Sequence, residues 1–162
     1  MTEDYNKFLA VAKTDKDGNR LNLIKLDDFP SVDEKAIGKK LQEIAKNATT
    51  GGQYVRVGKL YGFPIKVISE TSLASGLATI DNRFVIEGHY KYTFNNGHLA
   101  MADPKAAATN FLNALEKIPG IIAQRKEKNE ALAKDIPQLQ ELTGKIWKKE
   151  DELKQLRTEL SA

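Results

Sequence analysis

His89 and His98 are the side chains in this 162-residue sequence best suited to proton transfer or metal binding. They lie nine positions apart, and Glu87 precedes His89 by two. If a turn forms at Asn95–Gly97, the histidines face each other across strands, and two imidazoles with one carboxylate make a minimal metal site. The other reading, and the favoured one, is two surface histidines on a solvated sheet face, because no third ligand spacing and no Cys supports a metal. Neither histidine has a visible nucleophile to activate, which argues against a hydrolase. The nearest approach to a phosphate loop is Gly52–Leu60. Its glycines are one position too far apart, and Leu60 stands where Ser or Thr would bind magnesium. Asp27, Asp28 and Asp81 fall at element ends, where turn chemistry explains them. No Gly-x-Ser-x-Gly elbow and no glycine-rich dinucleotide fingerprint occurs. The expectation is a protein with no catalytic, metal or cofactor-binding residue, and so no enzyme on its own.

Two surfaces remain. Arg56, Lys59, Lys66, Arg83 and Lys91 are interleaved with Tyr54, Tyr61 and Tyr90. Cations beside aromatic rings can follow a nucleic-acid strand, the rings stacking on bases while the cations neutralise phosphate. Residues 51–100 hold five basic and three acidic side chains, a surplus too small to choose between that reading and an ordinary solvated face. The seven residues expected at a nucleic-acid surface are Tyr54, Arg56, Lys59, Tyr61, Lys66, Arg83 and Lys91.

The second surface is a heptad. Leu132, Leu139, Ile146, Leu153 and Leu160 recur every seven positions and line one side of a helix. The companion column is interrupted by Thr143, Glu150 and Arg157, with Leu142 and Leu156 filling part of the gap. A long parallel dimer needs both columns apolar. An antiparallel hairpin, folded on itself or on Phe111 and Leu115, is therefore favoured over a zipper, with Trp147 and these leucines as packing anchors and a monomer as the default state.

The elements that would position these residues follow from punctuation and periodicity. Tyr5, Phe8, Leu9 and Val11 make a short amphipathic opening, and Lys13–Asn19 is a loop by composition. Arg20–Leu26 reads as a strand. Ser31-Val-Asp-Glu34 has the pattern of a capping box and starts a helix that runs through Asn47, with Ile37, Leu41 and Ile44 on its apolar side. Gln53–Leu60 and Phe63–Ser69 form a tight hairpin at Tyr61-Gly62. Residues 71–81 read as a small-residue connection with at most a short strand. Arg83–Phe94 alternates, placing Phe84, Ile86, Gly88, Tyr90, Tyr92 and Phe94 on one face. Asn96-Gly97 would then turn it into a short return strand, His98–Ala102. Asp103-Pro104 is a strong helix start, Pro119-Gly120 splits the helical region, and Pro137 predicts a break or kink, with a second near Gly144.

The fold class this predicts is α+β: an antiparallel sheet of four to five strands packed on one helix, then a C-terminal coiled-coil-like helical hairpin. Residues 1–102 would form the sheet domain and 103–162 the helical extension. The sequence has 25 basic and 22 acidic residues, a net charge of +3, and no Cys. Nucleic-acid contact is permitted but not demanded. Disulfides are excluded. The polar start Met1–Lys7 is unlike a signal peptide, and no apolar run reaches the length of a membrane span. A cytoplasmic protein is expected.

The order of signals resembles a known module. It comprises the capped helix 31–47 with Gly51-Gly52, the hairpin Val57-Gly-Lys-Leu-Tyr-Gly-Phe63, a strand pair, a helix rich in Asn and Leu, and the tail from Trp147 through Glu150, Glu152, Leu153, Leu156 and Glu159 to Leu160. Over residues 20–162 this resembles the C-terminal module of very large helicase and adenine-specific DNA methylase proteins carried by phages and conjugative elements, notably of gut bacteria. The resemblance implies an accessory domain in a DNA-modification setting, positioning DNA or neighbouring domains of a parent protein. The sequence lacks the Asn/Asp-Pro-Pro-Tyr tetrapeptide, an S-adenosylmethionine loop and a helicase phosphate loop, so methylase activity would belong to the parent alone. The alternative is a structural module that self-associates or binds protein through the 132–160 helix.

Overall fold

The computed structural model describes residues 1–74, 76–144 and 150–162. They divide into two compact units, Met1–Ile122 and Ala123–Ala162. The first unit opens with helix α1 (Thr2–Val11) and a two-residue strand β1 (Lys25–Leu26), followed by helix α2 (Glu34–Asn47). Strands β2 (Val55–Leu60), β3 (Phe63–Ala74), β4 (Leu77–Glu87) and β5 (Lys91–Tyr92) complete one sheet in the order β1-β2-β3-β4-β5, each neighbour antiparallel. A 3₁₀ turn at Asn95–Gly97 leads to helix α3 (Pro104–Glu116), and helix α4 (Ile118–Gly144) follows. The protein is α+β with a C-terminal helical part, as the pattern of the sequence predicts.

The sheet has one dry face. Cross-strand partners Val67 and Phe84, and Ile65 and Ile86, bring four nearly sealed side chains together there. Alternation forces Lys66, Arg83 and Glu87 to the opposite face. The dry face is closed by two helices rather than one. α2 contributes Ile37 and Leu41, and α3 contributes Phe111, Leu112 and Leu115, all buried. Phe111 meets Phe84 edge-on, with centroids 6.0 Å apart. α3 is therefore core, and the division falls after Ile122, not after Ala102.

Several local expectations hold. Tyr61 (φ 50°) and Gly62 (φ 84°) form the tight link between β2 and β3, a left-handed pair whose twist matches that of the strands. Asp103 caps α3 by accepting from the Lys105 amide at 2.9 Å, with Pro104 in the first turn. The cap of α2 is a correction. Asp33, not Ser31, accepts the Ala36 amide at 2.8 Å, while the Ser31 hydroxyl accepts from the Asp33 amide. Both residue types cap well, and the protein uses the one nearer the helix.

The strands depart further from the sequence pattern. The expected strand 20–26 shrinks to Lys25–Leu26, because Leu21 and Asn22 are drawn elsewhere: the Leu21 carbonyl accepts from the Tyr61 hydroxyl, and the Asn22 side-chain amide donates to the Ala108 carbonyl on α3. Residues 71–81 are not a connection; β3 and β4 pair continuously from Ile65–Ile86 out to Ala74–Leu77. The expected strand 83–94 breaks at Gly88–Tyr90, where the Gly88 amide donates to the Tyr90 carbonyl at 2.8 Å. Tyr92 stays in the core but Tyr90 is half-exposed. No strand forms at 98–102; Leu99 is buried from an irregular segment.

The second unit holds the rest of α4 and helix α5 (Glu150–Ser161). α4 passes through Pro137 as one helix instead of restarting there, and extends to Gly144. Ile146 and Trp147, expected to be packing anchors, lie outside the described residues. The described leucines of that set, Leu132, Leu139, Leu153, Leu156 and Leu160, are between 41% and 86% exposed.

α2 and α3 meet at Gly38. A Cβ there would lie inside the Pro104 carbonyl group, a backbone contact that cannot turn aside. Gly38→Ala is therefore expected to lower unfolding free energy by about 3 kcal/mol or more, the top of the overpacking range. Gly120 sits on α4 with nothing within 4 Å of an added Cβ. Gly120→Ala should instead stabilise by roughly 0.5–1 kcal/mol. Urea denaturation of the two variants measures both, and equal midpoints would refute the contact.

Candidate functional site

The expected nucleic-acid surface resolves into ion pairs. On the wet face of the sheet, Lys66 and Glu87 form a salt bridge, Lys91 approaches the other Glu87 oxygen at 3.6 Å, Arg83 bridges to Glu70 and reaches Asp81 at 3.4 Å, and Arg56 pairs with Asp27 at 3.0 Å. The neighbouring lysines hold the Glu87 carboxyl below the usual carboxylate range: the Lys66 hydrogen bond is the largest effect, burial opposes it, and the charges of Lys66 and Lys91 add to it. The Lys91 ammonium also lies 4.8 Å from the centre of the Tyr54 ring, on the ring a base would use. These pairs shield Ile68 and Val85, two apolar side chains buried on the otherwise wet face.

Tyr61 does not belong to that surface. Its hydroxyl donates to the Leu21 carbonyl at 2.5 Å and accepts from the Lys13 amide at 3.2 Å, while its ring stacks edge-on against Phe8. It ties the 13–21 loop to the sheet. Of the seven residues, Tyr54, Arg56, Lys66, Arg83 and Lys91 share the wet face, and Lys59 is the one cation of the set with no ion-pair partner among the described residues. Lys59 lies directly across from Lys25 on β1, and both are exposed.

The histidines do not meet. His98 Nε2 is 2.9 Å from Asp81 on the wet side. His89 sits in the turn after β4, its Nδ1 2.7 Å from Asp4 Oδ1. Among the described residues no group of three His, Cys, Asp or Glu side chains is placed to hold a metal ion.

Asp4 is the residue sequence reasoning missed. It is 1% exposed. It accepts the Tyr92 hydroxyl at 2.6 Å and the His89 amide at 2.9 Å, besides the His89 ring. An ionised carboxylate only accepts, so His89 Nδ1 carries the hydrogen in that bond. Gly88 makes room: a Cβ there would come within 2.6 Å of the carboxylate. The aspartate–histidine pair has the geometry that orients a general base, with Nε2 toward the surface and 3.8 Å from Glu3. The described residues that line the hollow beside it, among them Lys7, Phe63, Pro64 and Glu87, include no Ser, Thr or Cys. The arrangement works as a clasp between α1 and the β4–β5 turn.

One apolar feature of the first unit also escapes the sequence. The outer half of the β3–β4 hairpin exposes Leu73, Leu77 and Ile80, each more than half open. Its Thr- and Ser-rich sequence gives no apolar alternation by which to recognise it as strand.

The clasp predicts acid sensitivity. Burial pushes the Asp4 carboxyl up, but the hydrogen bonds from the Tyr92 hydroxyl and the His89 amide and ring together outweigh it and lower the pKa to about 2. A folded-state pKa below the unfolded value adds stability that is fully present above pH ~4 and lost as pH falls through about 2. Asp4→Asn should remove about 2 kcal/mol at neutral pH, and less toward pH 2. Thermal melts of both proteins across that range measure the difference; a gap independent of pH would show that the carboxylate's charge is not involved.

Residues 9–115, well over half of the sequence, match the family model described as a domain of unknown function, DUF8438. No curated protein and no solved structure matches. The match begins within α1, takes in the whole sheet and ends one residue short of the end of α3; the protein belongs to the DUF8438 family.

Proposed function

We propose that the protein is a non-catalytic interaction module: a DUF8438 sheet domain followed by helices that associate with a second copy of the same protein. The observation that carries this reading is the uncovered apolar stripe on each helix of the second unit. On α4, Leu132, Ile136 and Leu139 are spaced four and three apart and are 46%, 51% and 58% exposed. On α5, Leu153, Leu156 and Leu160 are spaced three and four apart. Such spacing puts each set on one face, and covering them would gain roughly 1.5–3 kcal/mol per side chain. Residues 123–162 hold nine basic and eight acidic side chains, so two copies meet with little net repulsion. Light scattering should give twice the 18.0 kDa monomer mass at tens of micromolar, and Leu139→Lys with Leu153→Lys should return it to one. A monomeric parent at that concentration sinks the proposal.

A second reading, an accessory domain of a DNA methylase or helicase that positions DNA, draws support from Lys25 and Lys59. They are like charges opposed across β1 and β2, with no carboxylate paired to either among the described residues, a pairing that costs stability unless an anion joins it. If this reading holds, labelled DNA binds at low salt, and the double change of Lys25 and Lys59 to Ala flattens the log–log salt dependence by about two. An unchanged slope removes the two lysines from the account.

A further inference from the structure

α3 turns one face to the core and another to a cleft of about 520 Å³. Lys105, Thr109, Asn110, Asn113 and Lys117 line it from the helix, at the spacing of one face. Asn110 is the telling residue. It is 4% exposed, yet its carboxamide makes no hydrogen bond to any described residue. A carboxamide so enclosed and without a protein partner takes its hydrogen bonds from whatever occupies the cleft, water or a ligand. Its polar atoms are not among the sealed, unsatisfied ones, so the cleft it lines is their route to a partner. Asn113, one turn on and half-buried, is likewise unbonded through its side chain. Thr109 is not available, since its hydroxyl donates to the Lys105 carbonyl at 2.8 Å.

We infer that this cleft binds an extended peptide segment bearing acidic side chains. A carboxamide offers a donor and an acceptor side by side, the complement of a backbone carbonyl and N–H, and two of them one helical turn apart can hold successive peptide units. Lys105 and Lys117 stand about 18 Å apart along the helix, the span of five or six extended residues at ~3.3 Å each. Their charges are not equivalent. Asp103, which caps α3, lies in the same lining and offsets Lys105, and His98 is already paired with Asp81. Lys117 pairs with no carboxylate among the described residues and sits 5.4 Å from the Phe94 ring centre, so the acidic side chain belongs at that end. The peptide replaces water that satisfies the amides in its absence. This surface lies wholly in the first unit and does not depend on the leucine stripes.

Titration of the intact ¹⁵N-labelled protein with acetylated, amidated tetraglutamate at low salt reads the site directly. The side-chain amide resonances of Asn110 and Asn113 should shift together. Asn113→Ala, with an otherwise unchanged amide spectrum, should weaken binding about tenfold, and Lys117→Ala should weaken it and reduce its salt dependence. Shifts confined to backbone amides near the lysines, with Asn113→Ala binding as the parent does, would mean charge attraction alone and overturn the assignment. Displacement of the peptide by adenosine monophosphate at lower concentration, with the same two amides shifting, would make the cleft a small-molecule site and overturn it equally.

Discussion

The close approach of α2 and α3 at Gly38 is the constraint on which the first unit rests. The dry face of the sheet presents Ile65, Val67, Phe84 and Ile86, more apolar surface than the stripe of α2 can cover. Its buried set is Ile37 and Leu41, with Gly38 between them in sequence. α3 supplies what is missing, and it reaches the sheet only because Pro104 can lie directly on Gly38. Any larger side chain at 38 would pry the helices apart and open the layer where Phe111 meets Phe84. Side chains of this size contribute about 1.5–3 kcal/mol each on burial, so one misplaced methyl group threatens several such contributions at once.

Local signals were legible in the sequence and distant ones were not. The turn at Tyr61-Gly62, the cap at Asp103-Pro104 and the end of α2 at Asn47 are each decided by a few adjacent residues, and each stands where the sequence places it. The strand expected over 83–94 fails because of a residue far away. Alternation from Phe84 to Phe94 is unbroken on paper, but Asp4 takes the His89 amide and the Tyr92 hydroxyl and fixes a turn between them. Nothing near position 89 announces that. Asp4 itself reads as an ordinary acidic residue in the first turn of a helix, where the dipole alone would justify it. Its burial is a tertiary fact.

The same limit explains the basic surface. Read in order, Arg56, Lys66, Arg83 and Lys91 are cations among tyrosines, and the acids look too few to matter. Folding selects which neighbours count. Register brings Glu70 and Asp81 to Arg83, and Glu87 to both Lys66 and Lys91, so three carboxylates answer three cations across adjacent strands. Composition measures surplus, whereas recognition of phosphate depends on cations left without a partner. Among the described residues Lys25 and Lys59 meet that condition, and Lys25 belongs to a strand only two residues long.

Apolar surface obeys the converse logic. The core of the first unit closes with Ile118, the last residue of that cluster to be fully buried. From there the sequence keeps placing leucines at helical spacing, and each described one is at least two-fifths exposed. A solvated helix needs no such stripe; charged residues with good helix propensity would serve it better. The leucines are thus a cost to the isolated protein unless something covers them. Gly144 and the broken heptad column weigh against a long regular zipper but not against shorter contacts made by each stripe separately. The family match stops at residue 115, just before these helices begin. The first unit draws Ile118 and Ile122 of α4 into its core, and the leucine spacing beyond them serves no packing within that unit.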